Sequence, residues 1–194
     1  MLPKLLLQEC WKQEIAWDAK LPEAITKKFL NWQNQITHLK NIFIPRWMTK
    51  RTSPEKQCSL HVFADASKNA YAACDFIRIE TEESVSCELV RAKNRITPLK
   101  AITIPRLELL ACLIAANVKT DLKRPDLETH YWTDSSSALS WIKRDEHWTT
   151  FVSNTTQEIR DLSPLDDWHH VQGNLNPADI SSRGSSVRYP IEAK

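Results

Sequence analysis

The hydrophobic pattern changes period near residue 55 and divides the chain in two. From 3 to 44 apolar residues recur at helical spacing: Leu6, Leu7, Trp11 and Ile15, then Phe29, Trp32, Ile36 and Leu39. Two amphipathic helices are predicted, broken at LPEAI (21–25), where Pro22 suits the first turn of the second helix. The polar stretch TKRTSPEKQ (49–57) is the predicted linker, with the boundary near Glu55, so that 1–55 forms a helical segment and 56–194 a second domain.

Beyond the linker the runs are short and rich in β-branched and aromatic residues. LHVFAD (60–65), AYAACDFIRI (70–79) and VSCELVRAK (85–93) predict three strands, with a turn at TEE (81–83) that makes them a meander. A basic loop holding Pro98 and Pro105 follows. It leads into a predicted helix from Arg106 to Leu122, whose Leu107, Leu110, Ala111, Ile114 and Val118 share one face. THYWTD (129–134) predicts a fourth strand, SSSALSWIKR (135–144) a helix behind a serine cap, and 148–162 a further helix. WHHVQG (168–173) predicts a fifth strand, and NPADISSRG (176–184) a short helix opened by Asn176 and Pro177. This order of elements is that of a mixed α/β sheet covered by helices.

Composition removes several alternatives. At 194 residues and 42% apolar content the chain can bury a core, and a formal charge of +2 does not by itself mark a nucleic-acid or membrane binder. The five cysteines are odd in number, widely spaced and never in a C-x-x-C pair, so neither a disulfide framework nor a zinc site is expected and a reducing, intracellular setting is. No run is long enough for a signal core or a membrane span, and no membrane partner is expected. Two glycines in the whole chain exclude G-x-G-x-x-G and Walker loops.

The carboxylates carry the candidate chemistry. LHVFAD and THYWTD each run apolar into an aspartate, Asp65 and Asp134, followed by small residues. In open α/β sheets, ligands gather at the carboxyl ends of strands. Taken alone, each aspartate reads equally as a cap or turn residue. Glu108 is the one acid between Glu88 and Asp121, set in the apolar run LELLACLIAANV; its plain reading is a first-turn acid facing the helix dipole. Asp179 opens the terminal helix, with the same alternative. Clustered carboxylates raise one another's pKa unless a cation joins them. An oxygen-only donor set suits Mg²⁺ or Mn²⁺ better than zinc, and paired ions about 3.5–4 Å apart serve in-line phosphodiester cleavage.

Asp, Glu, Asp and Asp on the first strand, first long helix, fourth strand and last helix resemble type I ribonuclease H. The segments HVFADASKNAYAA, LVRAKNRITPLKAITIPRLELLA, YWTDSSSALSWI and HHVQGNLNPADISSRG are more specifically similar to the ribonuclease H region of BEL/Pao-type LTR retrotransposon polyproteins. LLLQECWKQEIAWDAKLPEAITKKFLNWQNQI with IPRWM resembles the helical connection that follows reverse transcriptase in those polyproteins. The resemblance implies a ribonuclease H-like fold, a five-stranded mixed sheet flanked by helices and preceded by a helical segment. It implies Asp65, Glu108, Asp134 and Asp179 as catalytic, metal-binding carboxylates for two Mg²⁺ ions, with Mn²⁺ as a substitute. The implied reaction is endonucleolytic cleavage of the RNA strand of an RNA/DNA hybrid. The reverse transcriptase domain of the same polyprotein is the implied partner, and the cytoplasm or a retrotransposon particle the implied location.

The same resemblance frames the substrate contacts. Arg91, Lys93, Arg95, Lys100 and Arg106 fall in RAKNRITPLKAITIPR with no acid among them, a phosphate-binding loop or a solvated one. Ser67, Asn69, Ser135 and Ser136 are candidates for 2′-hydroxyls or phosphates, with capping as the alternative for each serine. The eight tryptophans are read as packing residues.

Three departures stand out. The loop histidine of cellular enzymes is missing, its place taken by Gln172, Gly173 and Asn174, and His169 and His170 fall on or beside a strand as structural residues. Asp75 occupies a strand position that is apolar in relatives, pointing to an edge strand or to decay. Polymerase Y-x-D-D and zinc-binding integrase motifs are absent from the sequence. Proteins with this stretch are also grouped under a Pao retrotransposon peptidase label, but Asp65-Ala66-Ser67 and Asp134-Ser135-Ser136 lack the glycine that aspartic peptidases need. The early Glu108 does not fit the Asp, Asp, Glu order of transposases. A decayed module that binds nucleic acid or packs against a polymerase without cutting stays open.

Overall fold

The computed structural model describes residues 1–41 and 57–184, of which 1–41 belong to one compact unit and 57–183 to another. The predicted linker and the boundary near residue 55 lie outside the described residues.

The first unit holds α1 (Leu2–Lys12) and α2 (Glu23–Ile36), followed by a 3₁₀ turn, Thr37–Asn41. Pro22 is the N-cap of α2, one position before the expected first turn, where its missing N–H still costs the helix nothing. Lys28 and Glu9 join the two helices through a 3.0 Å ion pair. Leu6 and Ile25 are buried, whereas Leu7, Trp11, Phe29 and Leu30 are exposed.

The second unit runs β1 (Gln57–Ala66), β2 (Ala70–Glu80), β3 (Val85–Ile96), α3 (Ile104–Ala116), α4 (Val118–Leu122), β4 (Glu128–Thr133), α5 (Ser136–Lys143), α6 (Thr150–Leu162), β5 (Trp168–His170) and α7 (Ala178–Arg183). The sheet order is β3-β2-β1-β4-β5, antiparallel through the meander and parallel from β1 to β4 to β5. Local chemistry explains the joints. Ser67 Oγ accepts from the backbone N–H groups of Asn69 and Ala70 and closes the β1–β2 turn. Thr81 and Ser84 do the same between β2 and β3. As expected, Ser135 caps α5, accepting from the Ala138 N–H.

The helix predicted from 106 to 122 is two helices. Asn117 ends α3 by donating Nδ2 to the Leu113 carbonyl at 2.8 Å, the competition with backbone bonding that makes asparagine a poor helix interior residue. Gly173–Leu175 form a 3₁₀ turn, so the fifth strand stops at His170, well before residue 173.

The core forms where α3 lies on the sheet. Leu107, Leu109, Ala111, Cys112 and Ala115 pack with Leu60, Val62 and Ala64 of β1, Tyr131 of β4, and Val152 and Ile159 of α6. Trp168 stacks on Tyr131 at 4.8 Å, and its indole N–H donates to Ser163. Truncating a fully buried leucine such as Leu107 to alanine costs about 2–5 kcal/mol. No helix among the described residues is long and apolar enough to cross a membrane.

Two expectations need correction. The third strand, predicted to end at Lys93, continues to Ile96, so Arg95 joins Arg91 and Lys93 as a strand residue and the loop reading of the basic segment holds only beyond it. Asp75 is not on an edge, since β2 lies between β1 and β3. It is fully buried, and burial, with a smaller push from the Asp121 charge, raises its carboxyl to about 6 against the opposing pull of Arg91 and Lys93. A β-bulge places two residues, Val90 and Arg91, where the ladder passes from Phe76 opposite Leu89 to Asp75 opposite Arg91. Arg91 Nε then donates to Asp75 at 2.5 Å while Nη1 reaches Asp121. The strand acid is compensated by its neighbour, an arrangement that decay does not explain.

Candidate metal centre

Strand pairing brings the first two acids together. β1 and β4 are parallel neighbours in which Ala64 lies opposite Thr133, so the next residue of each chain, Asp65 and Asp134, emerges at the same end of the sheet. Glu108 arrives from α3, whose packing on β1 fixes its height above the strand ends. One carboxylate oxygen from each of Asp65, Glu108 and Asp134 lies within 4.8 Å of the others.

Glu108 is the fifth residue of α3, because the helix starts at Ile104. The helix-dipole explanation weakens accordingly, since that effect falls off beyond the first turn. Glu108 is 8% exposed, and its Oε2 is buried without a hydrogen-bond partner among the described residues. Burial, then the charges of Asp65 and Asp134, push its carboxyl up to about 8 against the opposing pull of the Ala66 backbone and Arg183. Burial likewise raises Asp65 to about 6, opposed by the Ser182 hydroxyl and reinforced by Asp134 and Asp179. An unpaired buried oxygen beside two further carboxylates is an environment that a bound cation would relieve. The donors are all hard oxygens, which fits Mg²⁺ or Mn²⁺.

Asp179 is not brought into this group. It sits in the first turn of α7, forms an ion pair with Arg183 one turn on, and acts on Asp65 through its charge. Three residues that the sequence reading passed over support the centre. Asn176, read as a helix opener, donates Nδ2 to the Ala64 carbonyl at 2.9 Å and to Asp134 Oδ1 at 3.3 Å. Ser182 donates to Asp65 Oδ2. Gly173 lets its backbone approach Asp134, because a Cβ there would stand 3.0 Å from Oδ2. Their signal in the sequence is the clustering of Gly, Asn and Ser around NPAD, which local helix rules explain equally well.

The candidate substrate residues divide. Ser67 and Ser135 are engaged in the turn and the cap described above, and Ser67 also donates to the Ser182 carbonyl at 2.8 Å. Arg91 is bound to Asp75 and Asp121, and Lys93 lies 3.3 Å from Asp121. Arg106 lies over the Phe151 ring at 5.5 Å. Asn69, Arg95, Lys100 and Ser136 are exposed. His170, at the end of β5, places Nε2 3.2 Å from the Asp134 carbonyl oxygen, while the His169 ring is tilted against Trp132 with centroids 4.9 Å apart.

The sequence profile described as the Pao retrotransposon-like RNaseH-like domain matches residues 1–135, a span that includes Asp65, Glu108 and Asp134 and stops before Asp179. No curated protein matches the chain. Among solved structures, the chain is similar to the N-terminal RNase H domain of a Mycobacterium tuberculosis protein, at TM-score 0.46 and 11% identity, covering 70% of this chain and 97% of that one. RNase H1 of the archaeon Halobacterium salinarum NRC-1 gives TM-score 0.40 and 14% identity, with coverage of 60% and 86%. A foamy viral protease-reverse transcriptase gives TM-score 0.39 and 10% identity, covering 90% of this chain but 27% of that one. The profile match extends over most of the chain and ends just past the two strand acids and the helix acid that meet in space, and the chain belongs to the Pao retrotransposon-like RNaseH-like domain family.

Proposed function

We propose that the domain is a Mg²⁺- or Mn²⁺-dependent endonuclease that cuts the RNA strand of an RNA/DNA hybrid within a retrotransposon reverse-transcription polyprotein. The supporting observation is the convergence of Asp65, Glu108 and Asp134, with Glu108 Oε2 buried and unpartnered. These three residues would hold the cation, and Asp179, beside Asp65, is the proposed fourth acid of a two-ion site on release from Arg183. A bound divalent ion supplies water activation and charge stabilisation at the leaving oxygen. The chain's own residues keep the carboxylates oriented and bind the nucleic acid. Of the bases, Arg95 and Lys100 are the proposed phosphate contacts, because they are exposed and make no ion pair among the described residues. Lys93 and Arg106 add positive charge nearby, and Arg91 acts mainly on Asp75. The reverse transcriptase domain of the same polyprotein is the proposed partner, in the cytoplasm or a retrotransposon particle.

One observation favours a second reading. Asp179 stands outside the cluster, ion-paired with Arg183, as it would in a module that binds hybrid without cutting it. Incubating the purified chain with a labelled RNA/DNA hybrid tests both. Cleavage that requires Mg²⁺ or Mn²⁺ and is abolished by Asp134→Asn supports the nuclease. Absence of cleavage with either ion, with circular dichroism unchanged, replaces it with the binding module.

A further inference from the structure

The terminal segment was expected to serve the centre through Asp179, yet its two buried polar side chains point to the other acids. Ser182 is fully buried and donates its hydroxyl to Asp65 Oδ2. Asn176 is 4% exposed and bridges the ends of β1 and β4 through the Ala64 carbonyl and Asp134 Oδ1. We infer that Ser182 and Asn176 are positioning residues that fix the carboxylates of Asp65 and Asp134 for the cation, an inference that rests on the metal centre proposed above.

Each side chain is itself held on its far side. Asn176 Oδ1 accepts from the Ala178 N–H at 3.1 Å, so that the orientation placing Nδ2 against the two oxygens is the one that satisfies every partner. The Ser182 carbonyl accepts from Ser67, which anchors this turn of α7 to the β1–β2 turn. The Ser182 hydroxyl has one proton and two nearby acceptors, Asp65 Oδ2 and the Asp179 carbonyl at 3.1 Å. The charged acceptor at the shorter separation takes it. A hydrogen bond on one oxygen sets the rotation of a carboxylate and leaves the lone pairs of the second oxygen to a cation. Glu108 is placed by α3 and by the hydrogen bond its carboxylate accepts from the Ala66 backbone. The two strand acids lie just past the last β1–β4 pair, Ala64 opposite Thr133, and backbone pairing does not set the rotation of their carboxylates. Ser182 and Asn176 supply that restraint, so α7 and the turn before it are tied to the centre.

Titrating Mn²⁺ into the full chain by calorimetry, with metal-free unfolding measured in parallel, separates this role from a structural one. Ser182→Ala and Asn176→Ala are expected to weaken Mn²⁺ binding about 10- to 100-fold, the range seen when groups behind metal ligands are removed. Ser182→Thr keeps the hydroxyl and is expected to stay near the wild-type affinity. Wild-type affinity in both alanine variants overturns the inference, even where metal-free stability falls, because stability loss alone is what a structural role produces. A wild-type chain that binds Mn²⁺ but leaves the hybrid intact overturns the cleavage reading and leaves this one to be decided by the affinities. A wild-type chain that binds no Mn²⁺ overturns both.

Discussion

Asp65 and Glu108 bring carboxylate oxygens within 4.8 Å of each other where β1 ends and α3 begins its second turn, and neither forms an ion pair among the described residues. Without metal, folding shifts both groups toward their protonated forms relative to the unfolded chain, with Glu108 raised to about 8 from 4.5 and Asp65 to about 6 from 3.8.

A pH dependence of stability follows from that relationship. For acids with raised folded pKa values, the unfolded chain releases its protons first as pH rises, so the contribution to stability is full below the unfolded values and is lost on the way up to about 8. In EDTA the unfolding free energy from urea denaturation is expected to fall between about pH 5 and about pH 8, by an amount on the order of a few kcal/mol, and the midpoint falls with it. Mg²⁺ holds the ionised forms and removes most of that decline. Glu108→Gln is expected to be more stable than the wild type at the upper pH in EDTA and to gain little from Mg²⁺. A wild-type midpoint that stays level across this range in EDTA would refute the assignment.

Burial also organises a third acid, outside the carboxylate cluster. Asp75 is 0% exposed, and Arg91 is its neutralising partner. Arg91→Ala leaves a buried charge unpaired and is expected to cost about 3–5 kcal/mol, whereas replacing both residues by apolar ones of similar size costs much less. Chemical denaturation of the two single variants and the double variant measures the coupling. Additive losses in the double variant would mean that the pair is not a unit.

Periodicity made the elements of the second unit legible, since alternation in LHVFAD and helical spacing around Leu107 each report one buried face. The strand-end aspartates were legible too, because the apolar run stops at them. Partners separated by long stretches of chain were not. Nothing near Asp75 in the sequence announces Arg91, because a bulge in the facing strand sets their register. Nothing near Asp65 announces Ser182, 117 residues away. Charge spacing alone also misjudged the basic segment: its alternation continues β3 to Ile96, and a run without acids reads as a loop only when strand pairing is ignored. The Asp179–Arg183 ion pair, by contrast, joins residues four apart in a predicted helix and was open to sequence reasoning.

Gly173 offers a test of the centre that changes no charge and no hydrogen-bonding group. Its backbone passes close to Asp134, where an added Cβ would meet Oδ2 at 3.0 Å, tighter than ordinary contacts. No left-handed backbone conformation requires the glycine, so the effect of Gly173→Ala is steric and local. The carboxylate has little room to retreat, because Oδ1 is held by Asn176 at 3.3 Å. Gly173→Ala is therefore expected to displace Oδ2 by a few tenths of an ångström and to weaken Mn²⁺ binding about tenfold, while the unfolding free energy changes by less than about 1 kcal/mol. Calorimetry and urea denaturation on the same preparation read both quantities. Unchanged Mn²⁺ affinity in a folded variant would show that Asp134 Oδ2 does not face the cation, and would move the ligand role to Oδ1.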